Sequence, residues 1–346
     1  DAIPFAAALL HEAGAMICLK SDSNELVRHM YQEAAKLIKY GGMSEENALK
    51  TITINPAKQL GIEARTGSIE VGKDADLAIF NGHPLNGFAR CEMTLVEGEV
   101  YFQRSEKLTP FKPATEGPTK PAVVAFPKFK PDGPILLRNV TLHNPGKSPI
   151  VADIRILKGK IDKIGRDLDE DGATVLNSKT LHVFPGLIDA GTQVGLTEIG
   201  SAKETQDFSE GGDFQPDLRA AVAVNPESEL IPVTRANGVL SVGVRPIGGV
   251  SGGQAGLINL SGWVPKEMAI VEQLALHIEF PSESPVFRND PSVAGMGRAI
   301  AKKQREEKIR KLKDLFAEAK RYEASRSTDS PMVPRLEAML PYVCLL

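Results

Sequence analysis

The sequence predicts a mixed α/β protein built in two segments, and three observations carry that reading. Apolar residues recur at helical spacing before residue 60. Short β-type runs bounded by Gly, Pro, Asn or Asp begin at Gly67 and resume at Ile135. Between them, residues 105–133 contain six prolines among Lys, Thr and Glu, a composition that suits an extended, partly polyproline-like linker better than any packed element. The boundaries that follow are a first segment of 1–104, a linker of 105–133 and a second segment of 134–346.

In the first segment, residues 3–14 read as a short helix stopped by Gly14, and AMICL at 15–19 reads as a buried strand. After the polar break SDSNE, Leu26, Met30, Ala34, Leu37 and Ile38 fall on one helical face, and Gly41 ends the pattern. Ser44 is the expected N-cap of a second helix through Ala48, Leu49 and Ile52. From Gly67 the period shortens, and GSIEVGKDADLAIFNG and EMTLVEGEVYFQ predict strands.

The second segment opens with ILLRNVTL, VADIRILKG, KIDKIG and TLHVFPGLIDAGTQVG, all strand-like. A glycine-rich stretch follows, from Gly238 to Trp263. A charged helix of about 293–325 is then expected, with Ile309, Leu312, Phe316 and Ala319 as its apolar stripe. The chain opens at Asp1 without a methionine, and MLPYVCLL ends inside an apolar run, so both ends are expected to be internal to a longer sequence.

Of the 346 residues, 42% are hydrophobic and 25% charged, with a net charge of −3, which gives no basic field for nucleic acid or an anionic membrane. No apolar run reaches the roughly 20 residues that span a bilayer. Cys18, Cys91 and Cys344 lie too far apart for a disulfide framework or a zinc knuckle and are expected to be free, buried thiols. The compartment is not legible.

Three stretches of the first segment, AGAMICLKSDS, TITINPAKQLGI and GSIEVGKDADLAIFNGHPL, together resemble the C-terminal third of the amidohydrolase superfamily, its imidazolonepropionase-like branch in particular. The second segment resembles the opposite end of the same family, through the strands from Ile135 to Ile164 and the VFPGLIDA run. The resemblance implies partial TIM-type (β/α) barrel elements with a flanking β-sandwich: a tandem piece that closes one module and opens a second. By it, AMICL is the eighth barrel strand and VFPGLIDA leads into the first. Sandwich strands fall at 67–104 and 134–182, and the second barrel begins at 183–346. The two sets of sandwich strands are complementary halves, expected to pair with each other, and the AMICL and GLIDA strands are expected to be neighbours.

The resemblance also implies chemistry. Asp22, just past the end of AMICL, would ligate a divalent metal, with zinc the expected ion, and serve as the base for water attacking a C–N carbon. The competing reading makes Asp22 only a cap of the next helix. Family members continue the first barrel strand with His-x-His, whose side chains point to one side because residues i and i+2 of a strand do. Here those positions are Gly191 and Gln193, predicted non-ligating, since glycine has no donor atom and a neutral amide is a poor zinc ligand. Asp189 reads as a structural hydrogen-bond acceptor. His11, His29, His83, His143, His182 and His277 show neither HxH nor HExxH. His11 and His29 are placed on helices and His83 in a turn.

Three further motifs carry less. Gly249-Val250-Ser251-Gly252-Gly253 fits the G-x-S-x-G elbow, yet a strand pattern rather than a helix follows it. The same run nearly copies a phosphate loop, but Gln254 stands where Lys is required. The basic stretch 302–313 interleaves Glu306 and Glu307 four residues before Arg310 and Lys311, as on a solvated helix face.

The sequence reading is therefore a metal-dependent amidohydrolase for cyclic amide, imide or small peptide-like C–N bonds, expected to be inactive as this piece. Its expected partner is a small-molecule substrate, with no nucleic acid or membrane and with homo-oligomer formation left open. The alternatives are a metal-free, non-catalytic module for assembly or substrate capture, and a serine hydrolase using Ser251.

Overall fold

The computed structural model describes residues 5–104, 126–130, 133–281, 291–326 and 331–345. Most of the linker expected at 105–133 lies outside the described residues.

The chain begins with α1 (Ala6–Glu12), a 3₁₀ turn at Leu26–His29, α2 (Met30–Gly41), α3 (Glu45–Lys50) and α4 (Ile54–Gln59). Ser44 caps α3 as its sequence predicts, with Oγ accepting from Asn47 N at 3.2 Å. The pattern from Leu26 to Gly41 begins as 3₁₀ and becomes α, and Gly42 terminates it in the left-handed conformation at φ 67°. Met30, Ala34 and Leu37 are the buried face of α2, at the spacing that the apolar stripe requires.

Strands β1 (Leu77–Phe80), β2 (Cys91–Val96), β3 (Glu99–Gln103), β4 (Ile135–Leu142), β5 (Ile150–Leu157), β6 (Lys160–Gly165), β7 (Thr174–Asn177) and β8 (His182–Pro185) form one eight-stranded sheet. Its order is β3-β2-β1-β8-β4-β5-β6, with β7 paired to β4. The two sets of strands therefore meet, because Leu77–Phe80 run antiparallel to His182–Pro185. Their apolar residues form one core that includes Leu77, Ile79, Met93, Leu137, Ile154 and Val183.

A second sheet has the order β12-β11-β10-β9, from β9 (Leu187–Thr192), β10 (Val239–Val244), β11 (Gly253–Asn259) and β12 (Ala269–His277). β9 and β10 are parallel, and α5 (Leu230–Arg235) lies on the connection between them. β11 and β12 continue antiparallel. The first-segment helices cover this sheet: Val27, Met30, Ala34, Leu49 and Ile52 share a core with Phe80, Phe184, Leu187, Val242 and Ile258. Phe80 and Phe184 meet edge to face at 5.7 Å, both fully buried, so this core is contributed by both segments.

A short α6 (Pro265–Met268) precedes β12, and the chain continues through α7 (Pro291–Ser325) and α8 (Pro334–Glu337). Leu312, Phe316 and Ala319 bury against Val250, Leu336, Met339 and Val343, which realises the expected stripe, and Glu307 pairs with Lys311 one turn on at 3.0 Å. Among the described residues no helix is long and apolar enough to cross a membrane.

The AMICL expectation requires correction. Residues 15–19 form no strand and are only partly buried. Side chains of α4 satisfy this backbone instead, with Asn55 Nδ2 donating to Ile17 O at 2.8 Å and Gln59 Nε2 to Met16 O at 2.9 Å. The hydrogen bonds to β9 come just past it, where Ser21 N donates to Asp189 Oδ1 and Asp22 N to Gly191 O, both at 3.0 Å.

Candidate functional site

The carboxyl ends of the parallel strands β9 and β10 lie side by side, at the edge where α/β sheets and barrels gather their binding groups. Gly191, Thr192 and Gln193 arrive there from the end of β9, and Arg245 from the residue after β10. β12 runs the same way and delivers His277. The Lys20–Asp22 segment lies across these strand ends, held by Asp22 N on Gly191 O and by Thr192 Oγ1 donating to Ser23 O at 2.7 Å.

Asp22 adopts a left-handed φ of 51°, tolerated by Asp better than by most residues. It is not the helix cap: Ser23 Oγ takes that part, accepting from Glu25 N and Leu26 N at 3.1 Å. The Asp22 carboxylate receives Lys20 Nζ at 2.6 Å, Arg245 Nη2 at 2.5 Å and Arg245 Nε at 3.1 Å. Partial burial alone would raise its pKa, but the hydrogen bonds and charges of Lys20 and Arg245 outweigh that and hold the carboxyl below its usual range. Arg245 Nη1 also lies 3.5 Å from His277 Nε2. Burial first, and then the Arg245 charge, depress the His277 pKa.

Beneath them Asp189 is fully buried, accepting Ser21 N and Gly191 N at 3.0 Å, so it fixes the approach of the Asp22 segment to β9. Burial pushes its pKa up to about 6 despite those bonds.

The donors gathered here do not fit a divalent metal. A Cβ at Gly191 would stand 3.4 Å from Lys20 Cδ and 3.5 Å from Arg245 Cδ, so two cationic side chains fill the space next to the first His-x-His position. Gln193 is 5% exposed, and its Nε2, a donor, has no partner. Among the described residues no group of three or more His, Cys, Asp or Glu is arranged to hold a metal.

Ser251 is fully buried with an unpartnered Oγ, and β11 rather than a helix follows it, so the elbow geometry is absent. Its loop packs inward, with Val250 N and Ser251 N both donating to Asp213 O, which leaves no amide cradle for phosphate. Cys18 and Cys91 are free thiols, the first half-buried and the second buried.

The sequence reading missed two groupings. Lys20 and Arg245 carry no motif, and only the chain fold brings them together. His83, His143 and His182 also converge, at the joined ends of β1, β4 and β8. His143 stacks on Phe184 at 4.3 Å, and its Nε2 shares a proton with His182 Nδ1 at 2.9 Å. Burial, and then the His182 and His83 rings, hold the His143 imidazole down at about 4.

Residues 3–134 match the model of the amidohydrolase family. The amidohydrolase tasK of Hapsidospora irregularis is 29% identical over 58% of this chain and 22% of its own length. The imidazolonepropionase of Thermoplasma acidophilum is 36% identical over 18% of this chain and 17% of its own. The D-hydantoinase of Geobacillus stearothermophilus is 43% identical over 17% of this chain and 12% of its own. A solved amidohydrolase from Thermotoga maritima superposes with a TM-score of 0.48 at 23% identity, over 59% of this chain and 54% of that one. The matches thus cover between about a tenth and a fifth of the length of the curated relatives.

Proposed function

We propose that this chain, related to the amidohydrolases through residues 3–134, serves a protein acting on small molecules with cyclic amide, imide or peptide-like C–N bonds, and that such a molecule meets the strand ends beside Asp22. The observation that carries the proposal is the gathering of Asp22, Arg245 and His277 at the carboxyl ends of β9 and β10. The named relatives include a hydantoinase and imidazolonepropionases, whose substrates are ring amides of this kind.

The tandem arrangement belongs to the same proposal: 1–104 closes one module, 134–346 opens another, and 105–133 links them. On this reading the helix-covered four-stranded sheet is a partial (β/α) barrel, and the eight-stranded sheet is the flanking sandwich element. The antiparallel seam between β1 and β8 supports it. Zinc is the ion this family resemblance favours, but with Gly191 and Gln193 in place of histidines no step is routed through a metal here.

A second reading, capture of the small molecule without turnover, is favoured by the Lys20–Asp22–Arg245 ion cluster, since a carboxylate already saturated by two cations is a weak base. The two readings separate when the chain and its Asp22→Ala variant are incubated with a hydantoin and an imidazolone, while thermal stabilisation and ring-opened product are followed together. Product lost in Asp22→Ala identifies a hydrolase. Saturable stabilisation without product identifies capture. Neither signal removes the proposal.

A further inference from the structure

We infer that Arg245 is the built-in cation of this site: its guanidinium stands against Asp22 where a divalent ion would otherwise be needed, and the site is metal-independent as a result.

Three observations converge. One Asp22 oxygen accepts both Arg245 Nε and Arg245 Nη2, and Lys20 Nζ reaches both oxygens. Both carboxylate oxygens are therefore already paired with a cation. The space beyond position 191 is also lined, because a Cβ there would meet the Lys20 stem and the Arg245 side chain at van der Waals distance, 3.4 and 3.5 Å, and a longer group would have to displace them. Finally, the remaining position of the pair, Gln193, offers only a neutral amide, a poor zinc ligand beside imidazole.

The functional consequence differs from that of an ordinary metal site. A guanidinium stays protonated across the working pH range and cannot be chelated, exchanged or starved. It also ties Asp22 to the end of β10, residues 223 positions apart in the chain, so charge neutralisation and a link between the two segments come from one side chain. Lys20, about half exposed, acts as the auxiliary cation. The inference stands whether or not the site turns over a substrate, because its test reads metal and stability rather than activity.

The experiment is zinc uptake, measured by plasma mass spectrometry after stripping and reloading, beside melting temperature with zinc and with EDTA. The unmodified chain is expected to retain no stoichiometric zinc, and its melting temperature should be indifferent to either additive. Gly191→His with Gln193→His should still bind none while Lys20 and Arg245 remain. The same pair combined with Lys20→Ala and Arg245→Ala should gain zinc and show a zinc-dependent rise in melting temperature. Stoichiometric zinc in the unmodified chain that is lost in Asp22→Ala overturns the inference. Zinc uptake by the histidine pair that does not respond to removal of the two cations overturns it as well.

Discussion

The two sheets of this protein use charge and glycine for opposite ends. In the eight-stranded sheet they join the segments. Buried Asp74 is bracketed by Arg65 from its own segment and by Lys160 from the other. Asn144 reaches across to both the N–H and the carbonyl of Ile69, at 3.1 and 2.9 Å. Gly98 and Gly159 touch backbone to backbone at left-handed φ values, where a side chain on either would strike the opposite chain. In the four-stranded sheet Lys20, Asp22 and Arg245 gather at the strand ends, with Lys20 and Asp22 partly exposed. Buried side-chain atoms without a hydrogen-bond partner lie beside both sheets, Thr94 Oγ1 in the first and Gln193 Nε2 and Ser251 Oγ in the second. The contrast teaches that one sheet spends its charges on assembly, while the other keeps its charged cluster in reach of solvent.

The contrast breaks most visibly at the shared core. Phe184→Ala removes a fully buried ring that touches Phe80 and the stacked His143, and should cost about 3–5 kcal/mol of unfolding free energy in denaturant titration. If the two segments fold independently, the transition should instead split, with one phase untouched. Gly159→Ala attacks the seam directly, since its new Cβ would lie 2.8 Å from Glu97 O at φ 76°, and about 2–3 kcal/mol is expected from the same measurement.

The histidine cluster sharpens the comparison through pH. An unfolded His143 takes its proton near the ordinary value of 6.5, whereas the folded ring resists until about 4. The unfolded state therefore binds more protons between those values, and the stability contribution, present above 6.5, is lost as pH falls through that window. His143→Phe should keep the stack on Phe184 and flatten the acid limb of a melting-temperature profile by an amount on the order of 1 kcal/mol, water at the half-buried ring screening the rest. An unchanged slope would remove the cluster from the account. The smallest effect belongs to the charged cluster at the strand ends. Lys20→Ala, half exposed, should change stability by about 0.5 kcal/mol or less, well below Arg245→Ala at roughly 1 kcal/mol.

Much of this architecture was legible in the sequence because it is written locally. The Ser44 cap, the α2 face and the Leu312–Phe316–Ala319 stripe are patterns within a few turns, and the structure realises them. The β-runs were legible for the same reason. AMICL misled because its apolar content suits a strand, while its backbone partners, Asn55 and Gln59, are side chains some forty residues on. At the candidate site Asp22 and the empty His-x-His positions could be read from a motif. Arg245 could not, because a lone arginine after a strand has no signature until the fold sets it against Asp22. The histidine cluster was hidden likewise, its members drawn from three strand ends with no common spacing.

The seam between β1 and β8 also sets a clock. Its partners are roughly a hundred positions apart, and closing so long a loop costs chain entropy before any ladder hydrogen bond returns it. Pairing of this kind places a chain among slow folders. During the wait, the edges of β1 and β8 are open to the same edges on other molecules. Refolding yield should therefore fall as protein concentration rises, with intermolecular strand exchange as the competing product, so the contact that unites the two segments is also the one most exposed to a wrong partner.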